Sequence, residues 1–132
     1  MISVTGLSKS YGETLAVQDL SFEVAAGSIL GMLGPNGAGK TTTLRAMAGI
    51  LRPTSGRLSI GGHDIVDAPV AAKQQLALVP DDPRLFDALT VWEHLEFIAA
   101  AYRVADFPTA AESLLEQFEL TDKRHAAARE LS

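Results

Sequence analysis

Residues 34–41 read Gly34-Pro35-Asn36-Gly37-Ala38-Gly39-Lys40-Thr41 and match the pattern G-x-x-x-x-G-K-[ST] without a mismatch. No other stretch constrains the fold as strongly, because such a loop works only between a strand and a helix. Each fixed residue type has its own physical task. The glycines allow backbone conformations that a Cβ would forbid, so consecutive N–H groups can point at one anion. Lys40 adds a point charge that can reach β- and γ-phosphates. Thr41 offers a hydroxyl to a magnesium ion that also carries phosphate oxygens and water. The following helix would contribute its N-terminal amides and the positive end of its dipole.

The flanks supply that context. Ile29-Leu30-Gly31-Met32-Leu33 is a short apolar run, which predicts a buried strand. After the loop, Leu44, Met47, Ala48 and Leu51 recur at helical spacing. A chance Gly-rich turn before a helix is the alternative, and the full strand–loop–helix order argues against it. Nucleotide binding is the expectation.

The 132 residues suffice for one modest domain with a core. No run of about eighteen apolar residues occurs, so no membrane-spanning helix is expected, and Met1-Ile2-Ser3-Val4 does not open a signal peptide. The absence of cysteine excludes disulfides and thiolate metal sites and is compatible with a cytosolic setting. A net charge of −5 argues against a broad nucleic-acid surface, and none is expected as a partner.

Elsewhere the pattern predicts strands over 2–7, 20–24 and 57–62, with a turn at 8–14. Arg52-Pro53-Thr54-Ser55-Gly56 is a stop and turn. A short helix is expected near 70–75, and Leu76-Ala77-Leu78-Val79 has the composition of a second buried strand. From about residue 90 the pattern turns helical. Thr90-Val91-Trp92-Glu93 fits a capping box, and Thr109-Ala110-Ala111-Glu112 repeats the signal. A further short helix is expected near Thr121.

These features in order resemble the ATP-binding domain of ATP-binding cassette (ABC) transporters. The loop has that family's spelling, GPNGAGKTT, ending at Thr42. Tyr11 lies where such domains keep an aromatic that stacks on adenine. Leu51–Gly56 looks like the turn after the P-loop helix, and Val79-Pro80-Asp81 like the strand end entering the Q-loop. Leu89–Leu95 is similar to the opening of the helical subdomain, and Glu130-Leu131-Ser132 to the first residues of the LSGGQ signature. The resemblance implies an α/β P-loop NTPase fold of ABC type, N-terminal portion. The antiparallel β subdomain would take 1–28 and 57–62, the P-loop core 29–56 and 76–80, the Q-loop region 81–88, and the helical subdomain 89–132. It also implies ATP and Mg2+ as cofactors. ATP would lie on Tyr11, Gly34, Pro35, Asn36, Gly37, Ala38, Gly39, Lys40, Thr41 and Thr42, with Lys40 stabilising phosphate charge.

Two departures stand out. The Q-loop glutamine of the family falls on Asp81, followed by Asp82. With Thr41, Asp81 becomes a candidate metal ligand, and the alternative is a solvated Asp-Asp-Pro turn. The Walker B carboxylates and the switch histidine have no counterpart, and His63, His94 and His125 are expected to be ordinary exposed residues. By resemblance, the chain alone should turn over little ATP, while the complete domain is an ATPase. The implied partners are a membrane-spanning subunit and a second cassette, at the cytoplasmic face of the membrane. Leu85-Phe86 falls in the neighbourhood that meets the membrane subunit in the family, with a satellite core contact as the competing reading. The alternative function is a non-transport ABC-type binding or regulatory module. Within transporters, Asp81 and the style of Thr90–Tyr102 resemble exporters more than importers.

Overall fold

The computed structural model describes residues 1–131, and Ser132, the last residue of the signature match, lies outside them. The chain forms two compact units, Met1–Leu78 and a second beginning at Val79.

The first unit is built on one antiparallel sheet. Strand β1 (Ile2–Tyr11) pairs with β2 (Thr14–Val24) on one side and with β3 (Ser55–Ile60) on the other, and β3 pairs with the short β4 (His63–Asp64), giving the order β2-β1-β3-β4. The strands expected at 2–7 and 20–24 lie within β1 and β2, whereas the one expected at 57–62 runs over Ser55–Ile60, with Gly61 and Gly62 in the turn to β4. The expected turn at 8–14 shrinks to Gly12-Glu13, because Tyr11 pairs directly with Thr14 and the ladder runs to the tip. Near its middle β1 carries a bulge. Between Val4 and Leu7 it advances three residues while β2 advances two, and Gly6 takes φ 61°. A Cβ on Gly56 (φ 91°) would lie 2.4 Å from the Gly6 carbonyl oxygen, so the two glycines let β1 and β3 close there.

Val4, Leu7, Leu58 and Ile60 bury one face of this sheet. Helix α1 (Lys40–Met47) packs Ala46 into the same core, and the short α2 (Pro69–Lys73) adds Ala72. Burial of these aliphatic side chains stabilises the unit by about 1.5–3 kcal/mol per Val, Leu or Ile before conformational entropy is counted.

The buried strands expected at 29–33 and 76–79 do not form. Ile29 is 100% exposed, Leu33 95% and Val79 85%. Both segments have the composition of strands covered on two faces, but a strand needs a hydrogen-bonded neighbour. Among the described residues, every strand belongs to the antiparallel sheet β1–β4.

The second unit is helical. Helix α3 (Val91–Tyr102) starts with the expected capping box: the Glu93 N–H donates to Thr90 Oγ1, and the Thr90 N–H donates to the Glu93 carboxylate at 2.7 Å. Helix α4 (Phe107–Gln117) begins earlier than expected. Its N-cap is Asp106, whose carboxylate accepts from the Thr109 N–H, and Pro108 sits in its first turn. An aspartate followed by proline at N2 meets the cap requirement before Thr109 is reached. Glu112 therefore closes no capping box. It pairs with Arg124 instead. Thr121–Lys123 forms a single 3-10 turn where a short helix was expected, and Ala128–Glu130, whose last residue opens the signature match, forms another. The backbone between them returns to the start of α3: the Val91 and Trp92 N–H groups donate to the carbonyls of Ala126 and Arg124 at 3.1 and 3.0 Å. The orphan amides of α3 are thereby satisfied by backbone as well as by the box.

Candidate nucleotide site

The glycine-rich loop is held in shape by three contacts that the motif itself does not encode. Gly39 is the N-cap of α1, with φ 82° and ψ 3°, a left-handed conformation that glycine takes without penalty. It also has no room for a side chain: a Cβ would lie 2.6 Å from the Ala16 carbonyl oxygen and 2.8 Å from Val17 Cγ2, both on β2. Val17 is thus a core residue that supports the loop. Behind the cap, the hydroxyl of Thr43 donates to the Gly39 carbonyl at 2.9 Å, and the Thr43 N–H donates to the same oxygen at 2.8 Å. Thr43 is the one buried polar residue among those described. Its position just past the motif was the only signal the sequence offered for it.

Lys40 closes the front. Its Nζ donates to the carbonyls of Gly34 (2.6 Å) and Pro35 (2.7 Å), so the ammonium ties the first residues of the loop to the start of the helix. Gly34, Gly37 and Gly39 all have φ in the range favoured by glycine, at 154°, 83° and 82°. No side chain caps α1, and no acidic residue lies in its first turn. Residues 34–38 and Thr41 are exposed, while Thr42 is half-buried. An uncapped helix start, a fixed cation and an open glycine loop fit an anionic group such as a nucleotide phosphate.

Tyr11 ends β1, 48% exposed as a residue, with the ammonium of Lys9 5.2 Å from its ring centroid. Its register connects it to the loop. Tyr11 faces Thr14 across the hairpin, and Ala16, two residues along β2, is the residue that Gly39 abuts. At about 3.3 Å per residue, two to three residues separate the ring's strand position from the loop by roughly 7–10 Å along the strand.

Asp81 is exposed and belongs to the second unit. Among the described residues, no three His, Cys, Asp or Glu side chains gather into a metal-binding group. His63 and His125 are exposed as expected, but His94 is not an ordinary surface residue. Its Nε2 accepts from the Phe86 N–H at 2.9 Å and its Nδ1 lies 3.0 Å from the Thr90 carbonyl. Arg124 was also missed. Its guanidinium lies 4.3 Å from the Trp92 ring centroid and pairs with Glu112, and Trp92 packs on Phe107 at 4.9 Å. Trp92 is a packing residue. Leu85 and Phe86 are both 56% exposed.

The loop and helix define a P-loop nucleotide-binding protein. Residues 17–132 match the family model described as ABC transporter, and the chain belongs to that family. The SkfA peptide export ATP-binding protein SkfE of Bacillus subtilis is 38% identical over all of this chain and 55% of its own length. The daunorubicin resistance ATP-binding protein DrrA3 of Streptomyces coeruleorubidus is 35% identical over 99% of this chain and 42% of its own. The chain thus spans about half the length of these relatives. A solved ATP-binding subunit of an ABC transporter superposes with a TM-score of 0.92 at 32% identity, covering 99% of this chain and 55% of that one.

Proposed function

We propose that these residues form the ATP-binding part of an ABC transporter subunit that binds Mg-ATP at the P-loop and powers transport through a separate membrane subunit. The observation that carries this reading is the open loop 34–42 leading into an uncapped helix, with the Lys40 ammonium fixed at its front. Family membership and the printed names of the relatives support transport, and their peptide-export and resistance roles favour the outward direction.

In this reading the amides at the start of α1 and those of the loop bind the phosphates. Lys40 neutralises charge on the β- and γ-phosphates, the main electrostatic contribution that a P-loop makes to phosphoryl transfer. Thr41 is the residue of the P-loop that would hold magnesium, which supplies further neutralisation of phosphate charge. Tyr11 stacks on adenine from the end of the hairpin. The complete domain hydrolyses ATP as a pair of cassettes at the cytoplasmic face of the membrane. Residues 1–132 alone turn over little, since the sequence carries no counterpart of the carboxylates that polarise water. The exposed Leu85-Phe86 pair contacts the membrane subunit.

The test is a titration of a fluorescent ATP analogue, with and without magnesium, against the wild-type chain, Lys40→Ala and Thr41→Ala. Loss of the lysine should weaken binding at least tenfold, since hydrogen bonds to charged groups contribute about 1.5–3 kcal/mol each. Loss of the threonine should shrink the effect of magnesium. Equal affinity for wild type and Lys40→Ala would overturn the site.

A further inference from the structure

The turn that follows the P-loop helix is stitched to β1 near the hairpin tip. The Thr54 N–H donates to the Ser8 carbonyl at 2.9 Å, and the Ser10 N–H donates to Thr54 Oγ1 at 3.0 Å. A third contact joins the same two segments: Lys9 Nζ donates to the Arg52 carbonyl at 2.9 Å. In the ladder Lys9 stands opposite Val17, which Gly39 abuts. The turn has two bonds to the strand without Lys9, so holding the turn does not account for the lysine.

Its ammonium has a second partner. It lies over the Tyr11 ring, 5.2 Å from the centroid, within the range of a cation–π contact. The two residues are two apart on one strand, the spacing that brings side chains to the same side of a sheet. Lys9 is half-buried, whereas Tyr11, the last residue of β1, is exposed. An unanchored tyrosine at a hairpin tip would have to be ordered when a base stacks on it, at a cost in affinity. A half-buried ammonium held by a backbone carbonyl supplies that anchor.

We propose that Lys9 is a positioning residue for the adenine platform: held by the Arg52 carbonyl, its ammonium fixes the Tyr11 ring and ties it to the turn that follows the P-loop helix. This role rests on the reading that Tyr11 stacks on adenine. Base platform and phosphate loop then belong to one framework, with β2 against Gly39 at the start of α1 and Lys9 on Arg52 beyond its end.

The experiment is isothermal titration calorimetry of the 132-residue chain with ATP and with inorganic triphosphate. The proteins are wild type, Lys9→Met, Lys9→Arg, Tyr11→Ala and the double variant Lys9→Met with Tyr11→Ala. Lys9→Met keeps an apolar stem and removes the ammonium. It should weaken ATP about two- to fivefold, the range of an exposed cation–π contact, and leave triphosphate unchanged. Lys9→Arg keeps a cation that can stack on the ring and donate to the carbonyl, and should stay near wild type. On the Tyr11→Ala background, Lys9→Met should change neither ligand. In the nucleotide-free chain, the ring resonances of Tyr11 should move in Lys9→Met. Unmoved ring resonances, undiminished ATP affinity in Lys9→Met, equal losses for ATP and triphosphate, or the same loss with and without the Tyr11 ring would each overturn the role of Lys9. Undiminished ATP binding by Tyr11→Ala would sink the platform itself, whereas a loss in Tyr11→Ala with none in Lys9→Met would sink Lys9 alone.

Discussion

Replacing Gly39 by alanine separates the two demands that the P-loop places on its glycines. Gly37 and Gly39 have nearly the same left-handed backbone, with φ 83° and 82°. An alanine at either position carries a conformational cost of about 1–2 kcal/mol. Their surroundings differ. A Cβ on Gly37 meets nothing within 4 Å, whereas one on Gly39 lies 2.6 Å from the Ala16 carbonyl oxygen and 2.8 Å from Val17 Cγ2. Real Cβ atoms do not approach a backbone oxygen that closely, so α1 and β2 must move apart. Overpacking of that kind costs about 1–3 kcal/mol. Gly37→Ala should therefore destabilise the first unit by about 1 kcal/mol, and Gly39→Ala by about 3 kcal/mol. With a urea slope of about 1–2 kcal/mol/M for a unit of this size, the two midpoints should differ by roughly 1–2 M. Urea unfolding followed by exchange of the buried Val4 and Leu7 amides measures this directly. Equal midpoints for the two variants would refute the claim that β2 supports the loop through Gly39.

The Glu93 carboxyl is held below its ordinary value, first by the Thr90 backbone N–H and then by the Thr90 hydroxyl. Stability from a depressed carboxylate is present above the unfolded-state value and is lost as pH falls through the folded one. Glu93→Gln should flatten the acid limb of the α3 unfolding profile, and an unchanged limb would contradict the capping box. Arg124→Ala removes both the stack on Trp92 and the pair with Glu112, and should cost the second unit about 2 kcal/mol. The single tryptophan reports it in urea, and an unshifted midpoint would show the cluster to be idle. Tyr11→Ala should weaken ATP about tenfold or more, taking stacking at about 1–3 kcal/mol, while leaving inorganic triphosphate unaffected and Tyr11→Phe near wild type. Equal losses for both ligands would remove the adenine platform.

The parts legible in the sequence are those in which a residue type is dictated locally. The loop 34–42 is one, since each glycine and the lysine answer to backbone geometry or charge. The capping box at Thr90–Glu93 is another, because its two hydrogen bonds lie within four residues. The second box failed for a local reason too: Asp106 and Thr109 were both eligible caps, and Asp106 with Pro108 behind it came first. The strands at 29–33 and 76–79 failed for a different reason. An apolar run specifies how a segment would be covered, but a strand exists only if another strand hydrogen-bonds to it, and that depends on residues far away in the chain.

The same distinction separates the site from its support. The motif names the atoms that face a nucleotide, yet the loop's shape depends on Ala16 and Val17, whose strand is set by pairing with β1, and on Thr43, which lies beyond the pattern. His94 and Arg124 follow the same rule in the second unit. Each looks like a solvated helix or turn residue in sequence, and each is recruited by a partner eight or more positions away, Phe86 for the first and Trp92 with Glu112 for the second. Substitutions at these supporting residues should therefore act on the geometry of the segment they brace, whereas Lys40 acts on the ligand directly. Nucleotide affinity and Phe86 amide exchange can be measured on one set of variants: Lys40→Ala should move only the first, and His94→Phe only the second.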